Sequence, residues 1–157
     1  MANENKKDFN KMMNNSKDMP KIKILEDEKM IKKYGGSKML LAPPLYYDKL
    51  IKKIPKGKLV TISIIRNTLA KENGADFTCP LTAGIFINIV AHASYQRNED
   101  ITPYWRVLKS NGELNNKYPK GIELQKKLLE EEGYTIIKKG NKNIKYYVKD
   151  FEKYLMN

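Results

Sequence analysis

Periodic apolar positions begin near residue 43. Tyr47, Leu50, Ile51 and Ile54 stand at i, i+3, i+4 and i+7, one face of a helix that Pro43-Pro44 opens and Pro55-Lys56-Gly57 ends. Val60 closes a short extended piece. Thr61 or Ser63 then offers a capping oxygen to a second helix, whose Ile62, Ile65 and Leu69 share a face and whose stop is Asn73-Gly74. Ala75 to Cys79 reads as a loop. Pro80 suits the first turn of a third helix running to about Tyr95, and its run LTAGIFINIVAHA is apolar nearly all round, which predicts burial.

After a polar loop from Gln96 to Thr102, Tyr104 to Lys109 is expected to be a strand or extended segment. Ser110-Asn111-Gly112 follows as a turn, with Leu114 continuing past it. Pro119 opens a fourth helix through Glu132, closed by Gly133. Thr135–Lys138 and Ile144–Val148 flank Gly140-Asn141 as a second hairpin, and Val148, Phe151 and Leu155 suggest a short terminal helix. The expected fold class is mainly α (α+β): a winged helix-turn-helix-like domain with short β-hairpins and an N-terminal arm. That order alone does not imply DNA binding, because most three-helix stretches bind none.

The first 38 residues lack such periodicity. Residues 1–20 are expected to be disordered and 21–42 to form a poorly patterned arm, with Lys21–Leu25 as an edge strand and Gly35-Gly36 as a joint. The expected organisation is a flexible or loosely docked arm over 1–42, a domain over 43–134 and a C-terminal hairpin and short helix over 135–157. The longest apolar stretch, Met39 to Tyr47, is too short to span a membrane and is broken by Pro43 and Pro44. The segment MANENKKDFNKMMNN has no apolar signal region, so a cytoplasmic location is expected.

Composition sharpens this picture in two ways. Across 157 residues, 30 Lys and Arg face 18 Asp and Glu, for a net charge of +12. Only Arg66, Arg97 and Arg106 are arginines, and lysine suits phosphate better than bidentate base reading. The excess fits either a polyanion partner or a Lys-rich coding bias. Lys49, Lys52, Lys53, Lys56, Lys58, Arg66 and Lys71, against Asp48 and Glu72, form the best candidate phosphate-contacting patch or an ordinary solvated face. The single Cys79 and single His92 rule out a disulfide framework and an intramolecular Cys/His zinc cluster, and neither metal nor cofactor is expected. Cys79 reads as a small packing residue before a helix N-terminus, or as a nucleophile activated by the helix dipole. His92 reads as a hydrogen-bonded histidine rather than a base.

Three strings occur in order: IPKGKLVTISIIRNTLA (54–70), TPYWRVLKSNGEL (102–114) and GIELQKKLLEEEG (121–133). Over residues 45–134 the chain resembles the C-terminal DNA-binding domain of the O6-alkylguanine-DNA alkyltransferase (methylated-DNA–protein-cysteine methyltransferase) family, including its alkyltransferase-like members. The resemblance implies a winged helix-turn-helix that places the motif's second helix in the DNA minor groove and flips an alkylated guanine into a pocket. In true alkyltransferases the alkyl group moves to the cysteine of a Pro-Cys-His-Arg-Val string, where a histidine and a glutamate help the thiol lose its proton. Alkyltransferase-like members lack that cysteine and bind the lesion without repairing it.

Here the string is Pro103-Tyr104-Trp105-Arg106-Val107. Tyr104 stands in the nucleophile's place and Trp105 in the histidine's. A phenol with an ordinary pKa of about 10 does not replace a thiolate, and an indole is no proton shuttle. Alkyl transfer is therefore not supported at this site. Alkyltransferase-like members usually carry Trp then His here, so the chain departs from them too. Pro103, Arg106, Val107, Asn111-Gly112 and Glu132-Gly133 match the family. Thr61-Ile62 lies where the family has a nucleotide-rotating tyrosine, and Gly84 where it has an arginine finger. Ile85, Phe86 and Ile87 lie where small residues allow close groove approach. Base flipping relies on those three features, whereas shape-driven binding through lysines does not.

The expected function is a non-catalytic protein that binds alkylated or distorted duplex DNA as a monomer and marks it for another repair protein. Lys56, Lys58, Thr61, Ser63 and Arg66 would position phosphates. Thr82, Gly84 and Asn88 would face the groove, and Pro103, Tyr104, Trp105, Arg106 and Glu132 would line a degenerate pocket. Two alternatives stand beside it. One is a protein-interaction or small-ligand module with Ile85-Phe86-Ile87 packed against the 21–42 arm. The other is an alkyl-accepting enzyme that uses Cys79.

Overall fold

Prolines and capping hydroxyls set the helix ends. The computed structural model describes residues 7–156. In chain order the elements are α1 (Phe9–Met13), β1 (Lys21–Ile24), α2 (Glu28–Tyr34), β2 (Lys38–Leu41), α3 (Pro44–Lys52), β3 (Val60–Thr61), α4 (Ile62–Glu72), β4 (Phe77–Thr78), α5 (Pro80–Gln96), a 3-10 turn (Tyr104–Arg106), β5 (Val107–Leu108), α6 (Ile122–Glu131), β6 (Ile136–Lys139), β7 (Lys145–Val148) and a final 3-10 turn (Phe151–Tyr154). Pro44 and Pro80 stand in the first turns of α3 and α5, where their missing N–H costs nothing. The Thr61 hydroxyl accepts from the Ile64 N–H at 3.2 Å and so caps α4.

Three small sheets tie the helices together. β1 pairs antiparallel with β2, from Lys21↔Leu41 to Ile24↔Lys38, and β2 pairs parallel with β4. β3 and β5 pair parallel, Val60 with Val107 and Thr61 with Leu108. β6 and β7 form the antiparallel hairpin the sequence predicts. The core has two parts. Tyr47, Ile51, Leu69, Ile87, Val90 and Ala91 fill the space between α3, α4 and α5, while Leu59, Leu108, Leu114, Leu129 and Val148 fill the space beneath α6 and the hairpin. Trp105 packs against both.

Four expectations need correction. First, the turn at Ser110-Asn111-Gly112 forms, but Leu114 does not return along β5. After one bond that closes the turn, Lys109 N–H to the Glu113 carbonyl at 2.9 Å, the Leu114 N–H donates to the Tyr146 carbonyl at 2.8 Å, so the outgoing chain pairs with the edge of β7. Second, the stretch expected to be a loop before Pro80 contains β4, held by pairing with β2. Third, residues 7–20 are not a disordered tail. Phe9 stacks on His92 with ring centroids 4.7 Å apart, Asn10 Nδ2 donates to the Ala93 carbonyl at 3.0 Å, and Arg97 Nη1 donates to Asn10 Oδ1 at 2.7 Å. A five-residue helix is too short to stand alone, so α1 takes its order from the surface it meets. Residues 1–6 of that expectation lie outside the described residues.

Fourth, α5 is not buried all round. Ala83, Ile87, Val90, Ala91 and Ser94 face the core, whereas Leu81 is 72% exposed and Ile85 is 49% exposed. Its apolar composition hides this asymmetry, because period alone cannot orient a helix that has no polar face. Among the described residues no helix is long and apolar enough to cross a membrane.

The asymmetry of α5 is measurable. Ile87→Ala, at a site with no exposed surface, is expected to cost about 2–5 kcal/mol in denaturant unfolding. Ile85→Ala, two residues away on the open face, is expected to change stability by less than about 0.5 kcal/mol.

Candidate nucleic-acid interface

The Pro103–Val107 string forms a rigid loop between the two halves of the core. Tyr104 is only 3% exposed and packs edge-to-face against Trp105 and Tyr118, with centroids 5.4 and 5.2 Å away. Burial, with Tyr95 nearby as a lesser influence, pushes its phenol up to about 12, so it stays protonated at neutral pH. Trp105 Nε1 donates to Glu132 Oε2 at 2.9 Å. Arg106 donates through Nε to Glu132 Oε1 at 3.0 Å and through Nη2 to Oε2 at 2.7 Å, while its Nη1 donates to the Ile54 carbonyl at 2.7 Å. The Arg106 and Glu132 side chains are 13% and 10% exposed. Burial alone would raise the Glu132 carboxyl, but the Arg106 guanidinium and the Trp105 N–H outweigh it and hold it below its ordinary value. Glu132 clamps this loop to the end of α6.

Two residues that the sequence reading missed complete the loop. Buried Gln125 donates to the Trp105 carbonyl at 3.2 Å and the Val107 carbonyl at 3.3 Å, and accepts from the Asn115 N–H at 2.8 Å. Tyr118 donates its hydroxyl to the Val107 carbonyl at 3.2 Å. A polar residue on the apolar face of α6 was the available signal for Gln125.

The open surface lies beside α5. Pro80, Leu81, Gly84, Ile85 and Asn88 form one wall of a groove of about 310 Å³, and Lys109, Asn115, Asn116 and Lys117 form the other. An added Cβ at Gly84 would meet nothing within 4 Å. Asn115 Nδ2 donates to Asn88 Oδ1 at 3.4 Å across the groove floor. Thr82 is half-buried, and its hydroxyl turns back toward the Cys79 carbonyl at 3.4 Å. Among the described residues the arm does not cover this wall. β2 meets β4, and Tyr34 stacks on Phe77 at 4.7 Å, while Ile87 enters the core and Phe86 packs partly against it. The sequence alternative with Ile85-Phe86-Ile87 buried under residues 21–42 is thereby corrected.

The expected phosphate-positioning residues divide. Lys56 and Lys58 are exposed in the turn before β3. Thr61 is buried and its hydroxyl is spent on the α4 cap. The Ser63 and Ser110 hydroxyls hydrogen-bond to each other, and Arg66 Nη2 donates to Ser63 Oγ at 3.3 Å, which sets the start of α4 against the turn that follows Lys109. The lysines of α3 point elsewhere. Lys52 is paired with Asp100 at 2.9 Å and Asp48 at 3.4 Å, and Lys49 and Lys53 line a separate hollow with Glu72. The cations beside α5 are Lys109 and Lys117, which lie far from the 48–72 segment in sequence and were not singled out there. Cys79 is half-buried at the start of α5.

No family model matches the chain, and no curated protein does either. Solved structures do match. S. pombe Atl1 in complex with damaged DNA containing O6-carboxymethylguanine aligns with a TM-score of 0.50 at 23% identity, over 71% of this chain and 94% of that one. S. pombe ATL in complex with DNA aligns with a TM-score of 0.51 at 22% identity, over 85% of this chain and 99% of that one. At these identities the likeness is one of fold; among the described residues this chain is mixed α+β, with six helices and small sheets.

Glu132→Ala would leave the Arg106 guanidinium mostly buried without its counter-charge and is expected to cost about 3 kcal/mol in chemical unfolding. Because the folded carboxyl is held below its unfolded value, its contribution is complete above the unfolded value and fades as pH falls through the folded one. Thermal melts should therefore show the wild type losing stability below about pH 4.5, with a shallower acid limb in Glu132→Gln.

Proposed function

We propose that this protein is a non-catalytic, duplex-DNA-binding protein of the alkyltransferase-like kind, recognising alkylated or distorted DNA. The observation that carries the reading is the uncovered N-terminal half of α5, whose open Gly84 sits in a groove flanked by Lys109 and Lys117. The same fold in S. pombe Atl1 was solved with damaged DNA containing O6-carboxymethylguanine, which supports duplex DNA as the ligand. Lysine ammonium groups at the rim offer phosphate neutralisation. Leu81 and Ile85 offer apolar contact of the kind that minor-groove binders press against base edges and sugars.

Tyr104 and Trp105 bear on catalysis. The reaction loop holds a buried, protonated phenol and an indole fixed to Glu132, so neither a nucleophile nor a proton shuttle is offered there. Lesion recognition then rests on shape and deformability of the duplex, read by the face of α5 and held by backbone contacts. Such a monomer would hand the marked site to another repair protein in place of repairing it.

A gel-shift or anisotropy titration with plain and O6-methylguanine duplexes tests this. Binding is expected to both, tighter to the lesion, with affinity falling steeply as salt rises from about 50 to about 200 mM. Absence of binding to either duplex at low salt overturns the reading. Lys117→Glu is expected to weaken binding to both duplexes alike and to lower the log–log salt slope by about 1. Gly84→Arg, which places a cation into open space, is expected to strengthen binding and to raise helix stability by roughly 0.5–1 kcal/mol.

A further inference from the structure

Residues 135–149 contain Lys138, Lys139, Lys142, Lys145 and Lys149 and no Asp or Glu. All five are exposed, and none takes part in an ion pair among the described residues. The register sets Lys139 directly opposite Lys145, an unfavourable cross-strand pair of like charges. A hairpin of this composition would not be stable by itself. It is held because Val148 and Tyr146 pack into the second core, the Leu114 N–H donates to the Tyr146 carbonyl at 2.8 Å, and the Val148 N–H donates to the Gly112 carbonyl at 3.1 Å. Tertiary anchoring thus presents a rigid, unneutralised block of positive charge.

That block adjoins the α5 groove. A cavity of about 440 Å³ lies between the hairpin loop and the segment after the Ser110 turn, lined on the hairpin side by Lys142 and Lys145. It shares Lys109 and Asn116 with the α5 groove, so the two hollows adjoin. The one carboxylate in its lining, Glu113, is buried and sits 3.5 Å from Lys109, which leaves the hollow net positive.

We infer that the β6–β7 hairpin is a second gripping element for duplex DNA, contacting the phosphate backbone beyond the stretch read by α5. This rests on the DNA-binding reading above and extends its footprint. A four-residue strand reaches about 13 Å, and a duplex carries one charge per about 1.7 Å of axis, so the hairpin faces several phosphates at once. Lysine contributes point charges and no bidentate base contact, so the hairpin adds affinity and register without sequence or lesion preference.

The test uses the full chain with Lys139, Lys142 and Lys145 all changed to Gln, and a companion with all three changed to Arg. Salt titrations on plain and O6-methylguanine duplexes should show the Gln variant's slope reduced by roughly 2–3, with the ratio of the two affinities unchanged. The Arg variant should keep the wild-type slope. Affinity should also stop rising at a shorter duplex length for the Gln variant than for the wild type. The single change Lys142→Gln, in the loop away from the strand pairing, should lower the slope by about 0.9, which separates charge from any loss of hairpin structure. A wild type that binds duplex while the Gln variant keeps its slope and length dependence overturns the hairpin's role alone. A wild type that binds no duplex overturns both this inference and the reading beneath it.

Discussion

The Glu132 carboxylate holds the molecule's two halves in register. It accepts from the Trp105 indole and from the Nε and Nη2 of the Arg106 guanidinium, and Arg106 in turn reaches the Ile54 carbonyl just past the end of α3. One buried charge pair therefore joins the C-terminal end of α6, the Pro103–Val107 loop and the chain just past α3. Trp105 adds an apolar surface shared by both core clusters. Removing either partner would strand a charge in a largely dry site, which is why such a pair specifies geometry even where its net contribution to stability is modest.

That same interaction decides what the loop does chemically. A reaction loop built on a thiolate needs a base close by and room for substrate. This one is closed by a ring cluster of Tyr104, Trp105 and Tyr118, with the loop carbonyls taken up by Gln125 and Tyr118. Burial raises the phenol's pKa and so makes it less nucleophilic at neutral pH. The Glu132 carboxylate is satisfied by a guanidinium and an indole. The outcome is a stiff support, and the open surface lies at the face of α5.

α5 works as a two-sided element. Its inner side supplies small and branched apolar residues to the main core, and its C-terminal half is clasped from outside by α1 through Phe9, Asn10 and Arg97. Its N-terminal half is left open at Leu81, Gly84 and Ile85. Packing α1 at one end rigidifies the helix without covering the other. Positive charge follows the same division: Lys52 of α3 is paired with Asp48 and Asp100, while Lys117 and the hairpin lysines take part in no ion pair among the described residues.

Local chemistry was legible in the sequence wherever a single residue type compels a conformation. Pro44 and Pro80 mark helix starts, Thr61 marks a cap, Gly133 marks a stop, and Gly140-Asn141 marks the turn of a hairpin, because each acts over a few residues of its own chain. The order of the three strings likewise pointed to the fold shared with the solved neighbours. Other features were decided only by contacts distant in sequence. α1 has no periodic signal and exists through the surface of α5. The partner of β5 is β3 and not the chain after the turn, since strand pairing is a competition among edges that no single segment can settle. Which side of an all-apolar helix stays open depends on what packs against the other side. Lys109 and Lys117 become neighbours of Gly84 only once the second core has folded, so a charge count along the chain does not bring them together. Sequence alone determined most of the elements; tertiary structure decided the groove, because a groove is a relation between surfaces brought together by long-range packing.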